Sequence, residues 1–163
     1  MKSKYTTPPL PLSLRVSRLD PEAKLPVKAL GDAACWDLYS CIPPLDGKIS
    51  WLTMSPNNVT KVPTGIAVQP PRGYFLQICS RSGLASGVPP LFVANAPGII
   101  DPDYTGELFI ALYNGGHTSV RVQHNQRLAQ LLLLPLPKAS IIEVKDFPKT
   151  TRGGSGFGSS GTD

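Results

Sequence analysis

Proline and glycine interrupt this chain so often that few helices can form. Eighteen prolines and fifteen glycines are spread over 163 residues. Proline lacks a backbone N–H donor and clashes with the preceding helical turn, and glycine loses more backbone entropy than any other residue on becoming ordered. Because almost no uninterrupted window is long enough for three helical turns, the sequence predicts a fold built from short strands.

Six segments have the β-branched, aromatic or alternating character of strands and are bounded by Gly, Pro or Asn. They are residues 12–19, 64–69, 74–80, 107–114, 118–123 and 127–136. Many short strands at regular spacing favour a sandwich, a jelly roll or a small barrel. The sequence NGGH at 114–117 has the composition of a hairpin turn with glycines at positive φ.

Length and composition favour one domain with loose ends. The apolar content of 41% is enough for an ordinary core. We expect a flexible N-terminal arm at residues 1–10, a folded domain at 11–145 and a glycine-rich tail at 146–163, which is too poor in apolar residues to order itself. The chain shows no signal-peptide pattern and no apolar segment that could cross a bilayer, so an intracellular, soluble protein is expected.

Charge and cysteine content narrow the functional classes. The net charge of +5 suits a polyanionic partner. The cations are scattered and not interleaved with aromatic residues, so we expect no direct binding to nucleic acid and no membrane partner. The three cysteines form no C-x-x-C and have no histidine pair at ligand spacing, which favours reduced thiols over a zinc site.

The segment APGIIDPDYTGEL at 96–108 has two interpretations. One is a turn in which Pro102 sets φ and Gly106 ends the turn. The other is a site in which Asp101 acts as a general base and Tyr104 forms a flat wall against a ligand ring. Spacing alone favours the turn.

Two further segments have weak signals for phosphate binding. CSRSGLAS at 79–86 combines Arg81 with Ser82 and Gly83, so that a guanidinium, a hydroxyl and an accessible N–H meet. NQRLAQL at 125–131 contains Arg127 and Gln130, and its simplest interpretation is an edge strand with a solvated arginine.

GFGSSG at 156–161 has dinucleotide-fingerprint spacing, but only two residues follow it, so no helix can complete that motif.

Taken together, five segments resemble the five motifs of the trimeric dUTP pyrophosphatases (dUTPases), in order and at family-like spacing. They are DAACWDLYS (32–40), SRSGLA (80–85), GIIDPDYTGEL (98–108), NQRLAQLLL (125–133) and RGGSGFGSSG (152–161). The resemblance implies an all-β jelly roll of the β-clip type and a homotrimer with shared active sites. It implies Mg²⁺-dependent hydrolysis of dUTP to dUMP and pyrophosphate, which keeps uracil out of DNA and supplies dUMP for thymidylate synthesis.

The resemblance also implies roles for individual residues. Asp101 would activate the water that attacks the α-phosphorus, and Tyr104 would lie under the deoxyribose and reject UTP. A hairpin between Asn95 and Asp101, with Gly98 and Ile100, would bind uracil and exclude the 5-methyl group of dTTP. Asp37 would hold waters of the Mg²⁺ ion.

The phosphate chain and the tail complete the implied site. Arg81, Ser82, Gly83 and Gln130 would hold the phosphates. The tail would close over the nucleotide as a lid, with contributions from Arg152 on the γ-phosphate, Phe157 on uracil, and Gly158, Ser159 and Ser160.

The chain departs from the family pattern at Cys35 and Asn125, where glycine is usual, and at Ser155. Asn tolerates positive φ almost as well as Gly. A dCTP deaminase, which has a similar fold, would need a catalytic glutamate where this chain has Ala111. A jelly-roll binding module without catalysis is the alternative from another class. The departures and the short arm are compatible with a viral enzyme that acts in the cytoplasm or nucleus of a host cell.

Overall fold

The computed structural model describes residues 12–44, 46–47 and 49–154. This part of the chain forms ten strands and one short helix. The elements are β1 Arg15–Arg18, β2 Trp36–Tyr39, β3 Trp51–Met54, β4 Val59–Gln69, β5 Tyr74–Ser80, α1 Ser82–Ala85, β6 Leu91–Val93, β7 Gly98–Ile100, β8 Glu107–Asn114, β9 Val120–Gln123 and β10 Arg127–Pro135.

The strands form two four-stranded sheets and one ribbon. The first sheet has the order β1-β4-β8-β6, the second has the order β2-β10-β5-β7, and β3 pairs with β9. All of these pairings are antiparallel. The predicted all-β jelly roll is confirmed.

The core is contributed by alternate side chains of the strands. On β8, buried residues alternate with more exposed ones, as expected for a strand with one face in the core. The largest fully buried side chains are Leu38, Met54, Val62, Ile66, Val68, Leu76, Val93, Leu108, Ile110, Leu112, Leu128 and Leu131. The core therefore receives side chains from both large sheets and from the ribbon.

Strand prediction succeeded where the strands are long. The bounds of β5 and β8 match the predicted segments, and β4 begins earlier than predicted, at Val59. The prediction missed β2, β3, β6 and β7, which have only three or four residues each. Three or four residues leave little room for an alternating pattern, although β1 and β9, also of four residues, lie within the predicted segments 12–19 and 118–123.

Two predicted hairpins are wrong. Strand β8 pairs with β4 and β6, and β9 pairs with β3, so residues 114–117 cross between sheets. Gly116 is required there by a close approach, because a Cβ atom would collide with the Cβ of Pro89. The segment 95–101 is not a hairpin either, because residues 94–97 cross between sheets: β6 pairs with β8 and β7 pairs with β5.

The C-terminal segment leaves the jelly roll after β10. Residues 136–154 have no helix or strand and are exposed throughout. The division of the chain at residues 10 and 145 stays a prediction. In the described part of the chain, no helix has the length and apolar character needed to cross a membrane.

Candidate active site

Asp37 is a buried carboxylate that contacts two arginines. Its side chain is only 6% exposed. Oδ1 lies 3.2 Å from Nε of Arg81, an ion-pair contact in which the N–H is not aligned for a hydrogen bond, and Oδ2 accepts a hydrogen bond from Nη1 of Arg127 at 3.3 Å. Nη1 of Arg81 donates to the carbonyl of Arg127 at 3.1 Å. One carboxylate thus holds two guanidinium groups, which leaves a net positive charge for a polyanion.

Gln130 lies next to this group because of the strand register. On β10 it pairs with Asp37 of β2 on one side and with Cys79 of β5 on the other. Directly paired residues project from the same face of a sheet, so the three side chains share one face. Strand β10 lies inside the sheet, so the interpretation of 125–131 as an edge strand is wrong.

Helix α1 places Ser82 and Gly83 beside Arg81. Arg81 is the N-cap residue, and its carbonyl accepts the N–H groups of Leu84 and Ala85 at 3.0 and 2.9 Å. Ser82 and Gly83 are exposed, and a Cβ atom added to Gly83 would meet nothing within 4 Å. The fold itself therefore does not require glycine at 83. We call Asp37, Arg81, Ser82, Gly83, Arg127 and Gln130 the arginine cluster.

Asp101 begins a turn, as one interpretation of the segment predicted. Its carbonyl accepts the Tyr104 N–H at 3.2 Å, and Pro102 occupies the second position. The side chains of Asp101 and Asp103 are exposed. The turn does not exclude the functional interpretation, because it presents the Asp101 carboxylate at a cavity of about 230 Å³.

Tyr104 forms one wall of this cavity, together with Ile99, Ile100, Leu108 and Phe109. The residue is 43% exposed, and its hydroxyl donates to the carbonyl of Glu107 at 2.7 Å. Gly106 makes room for the ring, because a Cβ atom there would lie 2.7 Å from Oη. An exposed aromatic face is thus held at the cavity that Asp101 borders.

Asn95 lies in the connection that leads into β7, and Gly98 is the first residue of that strand. Gly98 is buried and pairs with Ile78 of β5. A Cβ atom at Gly98 would lie 3.3 Å from Nδ2 of Asn95, so the small residue allows the amide side chain to pack closely. Asn95 itself is exposed. Asn95, Gly98, Ile100, Asp101 and Tyr104 therefore follow one another along one connection and strand, and we call them the tyrosine group.

A single chain does not bring the two groups together. Ile100 pairs with Leu76 near the start of β5, so Asp101 lies beside position 75. Arg81 follows the other end of β5. Six residues of strand span about 20 Å at roughly 3.3 Å per residue, so the arginine cluster lies far from the Asp101 carboxylate within the same chain.

The predicted tail residues are only partly within the described chain. Arg152 is exposed in the segment after β10. Phe157, Gly158, Ser159 and Ser160 lie outside the described residues. Their roles stay predictions.

The hydrogen bonds that hold the turn before Arg127 were not predicted from the sequence. Ser40, which directly follows β2, donates to the carbonyl of Gln123 at 2.5 Å and accepts the N–H of Gln126 at 3.0 Å. Nδ1 of His124 accepts the N–H of Ile42 at 3.0 Å. These bonds fix the start of β10 against β2 and so bring Arg127 to Asp37. In the sequence, Ser40 ends the segment DAACWDLYS and Asn125 begins the segment NQRLAQLLL, but nothing local indicates that the two segments bond to each other.

Asn125 occupies the left-handed region in this turn, with φ of 58°. This conformation explains why glycine is usual at the position, and the expectation that Asn tolerates it is confirmed.

The thiols near the cluster are free in this structure. Burial raises the pKa of the Cys35 thiol, and the negative charges of Cys79 and Asp37 raise it further. Burial raises the pKa of Cys41 to about 11, with added contributions from Asp20, Glu107 and Glu22. Raised values favour the protonated, unreactive thiol.

Comparison with known proteins gives one consistent result. The dUTPase family model matches residues 22–161. The deoxyuridine 5'-triphosphate nucleotidohydrolase of Leptospira interrogans serovar copenhageni is 38% identical over 151 residues, which cover 92% of this chain and 99% of that protein. The protein of the same description from Methylocella silvestris is 39% identical over 155 residues, which cover 93% of this chain and 92% of that protein.

A solved structure also matches. A mutant of the Staphylococcus bacteriophage 80alpha dUTPase, solved with dUpNHpp, aligns with a TM-score of 0.79 and 25% identity, covering 91% of this chain and 98% of the phage chain. The chain therefore belongs to the dUTPase family, the deoxyuridine 5'-triphosphate nucleotidohydrolases, which hydrolyse dUTP to dUMP and pyrophosphate.

Proposed function

We propose that Asp101 is the general base of the dUTP hydrolysis that this chain carries out. The observation that supports this role is an exposed carboxylate at a cavity walled by an aromatic ring. The water oxygen bonds to the α-phosphorus, and its proton passes to the Asp101 carboxylate. The bond between the α-phosphorus and the α,β-bridging oxygen breaks, and its electron pair leaves with pyrophosphate.

The tyrosine group would bind the nucleoside. The backbone between Asn95 and Asp101, including Gly98 and Ile100, would bind uracil and exclude a 5-methyl group. The Tyr104 ring would lie under the deoxyribose, where a 2′-hydroxyl would collide with it. The close contact of Asn95 with Gly98 and the bond between Tyr104 and Glu107 support this arrangement, since both restrict movement of the walls.

The arginine cluster would bind the phosphate chain. Arg81 and Arg127 provide guanidinium groups, Ser82 and Gly83 an exposed hydroxyl and N–H groups, and Gln130 an amide. Interactions of this kind stabilise the charge that develops on a leaving pyrophosphate. Arg152 and the tail residues Phe157, Gly158, Ser159 and Ser160 would close over the nucleotide as a lid, and closure would exclude water.

The dUTPases as a family use a divalent metal, and we propose that Asp37 holds Mg²⁺ through water here. Both of its oxygens face arginines, and the described residues contain no group of three potential ligands. Mg²⁺ keeps several waters and binds largely through substrate phosphates. One carboxylate that accepts hydrogen bonds from the waters of the metal is enough for such an ion, which would enter with the triphosphate and supply positive charge at the leaving group.

We also propose that the active sites form between chains of a homotrimer. The separation of about 20 Å between Asp101 and Arg81, from the strand rise, supports this, because one chain cannot place both groups on one triphosphate. A second chain that brings its arginine cluster to the tyrosine group of the first would complete a site. The biological roles in limiting uracil in DNA and supplying dUMP follow from the activity.

Pyrophosphate release tests the proposed function. Purified protein is assayed with dUTP, dTTP, dCTP and UTP, with Mg²⁺ added or chelated, and we expect release from dUTP that chelation abolishes. Asp101→Asn should lower kcat by at least about 100-fold, the contribution of a positioned general base, while binding of dUpNHpp is retained. Asp103→Asn is the matched control, because it removes an exposed carboxylate from the same turn. Equal activity of the two variants would refute the role of Asp101.

A further inference from the structure

Strand β4 has an irregularity opposite the start of β8. Pro63 pairs with Phe109 and Ala67 pairs with Glu107, so three residues of β4 lie opposite one residue of β8. We call residues 64–66 the β4 bulge. Extra residues in a bulge lose their ladder partners, and a buried N–H without a partner is costly. The bulge therefore needs hydrogen bonds from outside the ladder.

Gly65 in this bulge is bonded to Glu107. Its φ is 66°, and a Cβ atom would lie 2.7 Å from Sγ of Cys41 and 2.8 Å from Cβ of Ala23. Only glycine fits this position. The Gly65 N–H donates to Oε1 of Glu107 at 2.8 Å. The side chain of Glu107 is thus fixed to a segment of β4 that cannot easily rearrange.

The backbone of Glu107 holds Tyr104. The carbonyl of Glu107 accepts the Tyr104 hydroxyl at 2.7 Å. Gly106 lies under the ring, because an added Cβ atom would be 2.7 Å from Oη and 2.8 Å from Cζ. One residue therefore bonds to the bulge through its side chain and to the tyrosine through its carbonyl.

We infer that Glu107 is a positioning residue for Tyr104 and thereby increases selectivity for deoxyribose over ribose. The inference rests on the proposed contact of Tyr104 with the sugar. Tyr104 is 43% exposed, so core packing alone does not hold its side chain in place. The Tyr104 ring can reject a 2′-hydroxyl only if it stays in place when a ribose approaches. The hydrogen bonds of Glu107 prevent movement of the ring.

The test compares kcat/KM for dUTP, UTP and dTTP in the wild type, Glu107→Ala and Glu107→Gln. We expect Glu107→Ala to lower the dUTP/UTP ratio roughly tenfold, within the range by which small changes in a pocket alter selectivity. The dUTP/dTTP ratio should stay unchanged, because uracil is bound by a different segment. Glutamine keeps an oxygen that can accept the Gly65 N–H, so Glu107→Gln should retain the selectivity.

Thr64→Val separates positioning from stability. The hydroxyl of Thr64 donates to the carbonyl of Leu108 at 2.6 Å, so this nearly isosteric change weakens the same bulge without touching Glu107 or Tyr104. We expect Thr64→Val to lower Tm and to leave both selectivity ratios unchanged. A purely structural role of Glu107 would give Glu107→Ala the same behaviour, and that result would overturn the inference.

Two variants of Tyr104 distinguish failure of the inference from failure of the proposed sugar contact. If Tyr104→Ala leaves the dUTP/UTP ratio unchanged, the sugar contact is wrong and the inference falls with it. If Tyr104→Ala lowers the ratio but Glu107→Ala does not, only the inference is wrong. Tyr104→Phe removes just the hydroxyl of a half-exposed ring, and we expect it to lower the ratio as Glu107→Ala does. An unchanged ratio in Tyr104→Phe overturns the inference even if Glu107→Ala does not fold.

Discussion

The carboxylate of Asp37 and the guanidinium of Arg81 meet at 3.2 Å across strand β10, which lies between β2, where Asp37 is located, and β5, which Arg81 directly follows. The contact joins the segment DAACWDLYS, which contains Asp37, to the segment SRSGLA, which contains Arg81. A carboxylate that is 6% exposed between two arginines keeps both cations at one place on the sheet.

Replacing Asp37 by Asn should loosen the arginine cluster. We expect KM for dUTP to rise although the net positive charge increases, because the arginines lose their fixed positions. The free energy of unfolding should fall by about 1 to 2 kcal/mol, less than for a fully buried pair, since both arginines can turn to water. Steady-state kinetics and urea unfolding measure the two effects. Asp32→Asn, which removes an exposed carboxylate nearby, controls for charge, and a lower KM in Asp37→Asn would contradict the prediction.

Gly83→Ala should separate nucleotide binding from stability. The added methyl group meets nothing within 4 Å in the chain, and Ala is more favourable than Gly in a helix by up to about 1 kcal/mol. We therefore expect an unchanged or raised Tm together with weaker binding of dUpNHpp, if the phosphates approach this backbone closely. Calorimetric titration and thermal unfolding test this. Gly31→Ala, another site with open space around it, should change neither quantity, and unchanged affinity in Gly83→Ala would remove Gly83 from the site.

Mixing two inactive variants should restore activity. If Asp101 and Arg81 of one site come from different chains, refolding Asp101→Asn with Arg81→Ala in equal amounts produces sites with both groups intact. Half of the chains supply each intact group, so about one quarter of the sites in randomly mixed trimers are complete. Pyrophosphate release from dUTP measures the recovery, and each variant refolded alone is the control. No recovery would show that both residues act within one chain.

Deleting residues 150–163 should abolish most dUTP hydrolysis and leave the proposed trimer intact. Arg152 is exposed after β10 and takes no part in the jelly-roll core, so its loss should not unfold the domain. Sedimentation analysis reports the assembly and pyrophosphate release reports the activity. Arg152→Ala in the full chain tests the γ-phosphate contact separately. A fully active truncated protein would contradict the proposed role of the tail as a lid.

Ionisation of the Cys41 thiol should lower the free energy of unfolding at alkaline pH. Its pKa is about 11 in the folded chain against an ordinary value of 9.0. Below about pH 9 both states keep the proton and the thiol has no effect. Between pH 9 and 11 the unfolded chain ionises first, so the free energy of unfolding should decrease by up to about 1.4 kcal/mol per pH unit. Urea unfolding across this range should show a shallower slope for Cys41→Ala than for the control Cys79→Ala, and equal slopes would refute the assignment.

The local chemistry of the sequence was enough to predict the fold class and to name most residues of the candidate site. Proline and glycine spacing indicated strands, and the strand bounds of β5 and β8 follow directly from alternation and flanking turn residues. The turn after Asp101 also follows from local preferences, because Pro102 sets φ. These features depend on neighbours within a few residues, which a single sequence displays.

The partners of each strand were decided only in the tertiary structure. Residues 114–117 have hairpin composition, yet β8 and β9 enter different sheets, because burial of alternate side chains in a common core determines pairing. The same long-range packing places Arg127 at Asp37 and bonds Glu107 to Gly65. The sequence alone therefore determined that this chain forms short strands and has the residues of a dUTPase. Only the tertiary structure decided which of them meet, since contacts between distant segments depend on sheet register, which local sequence preferences do not specify.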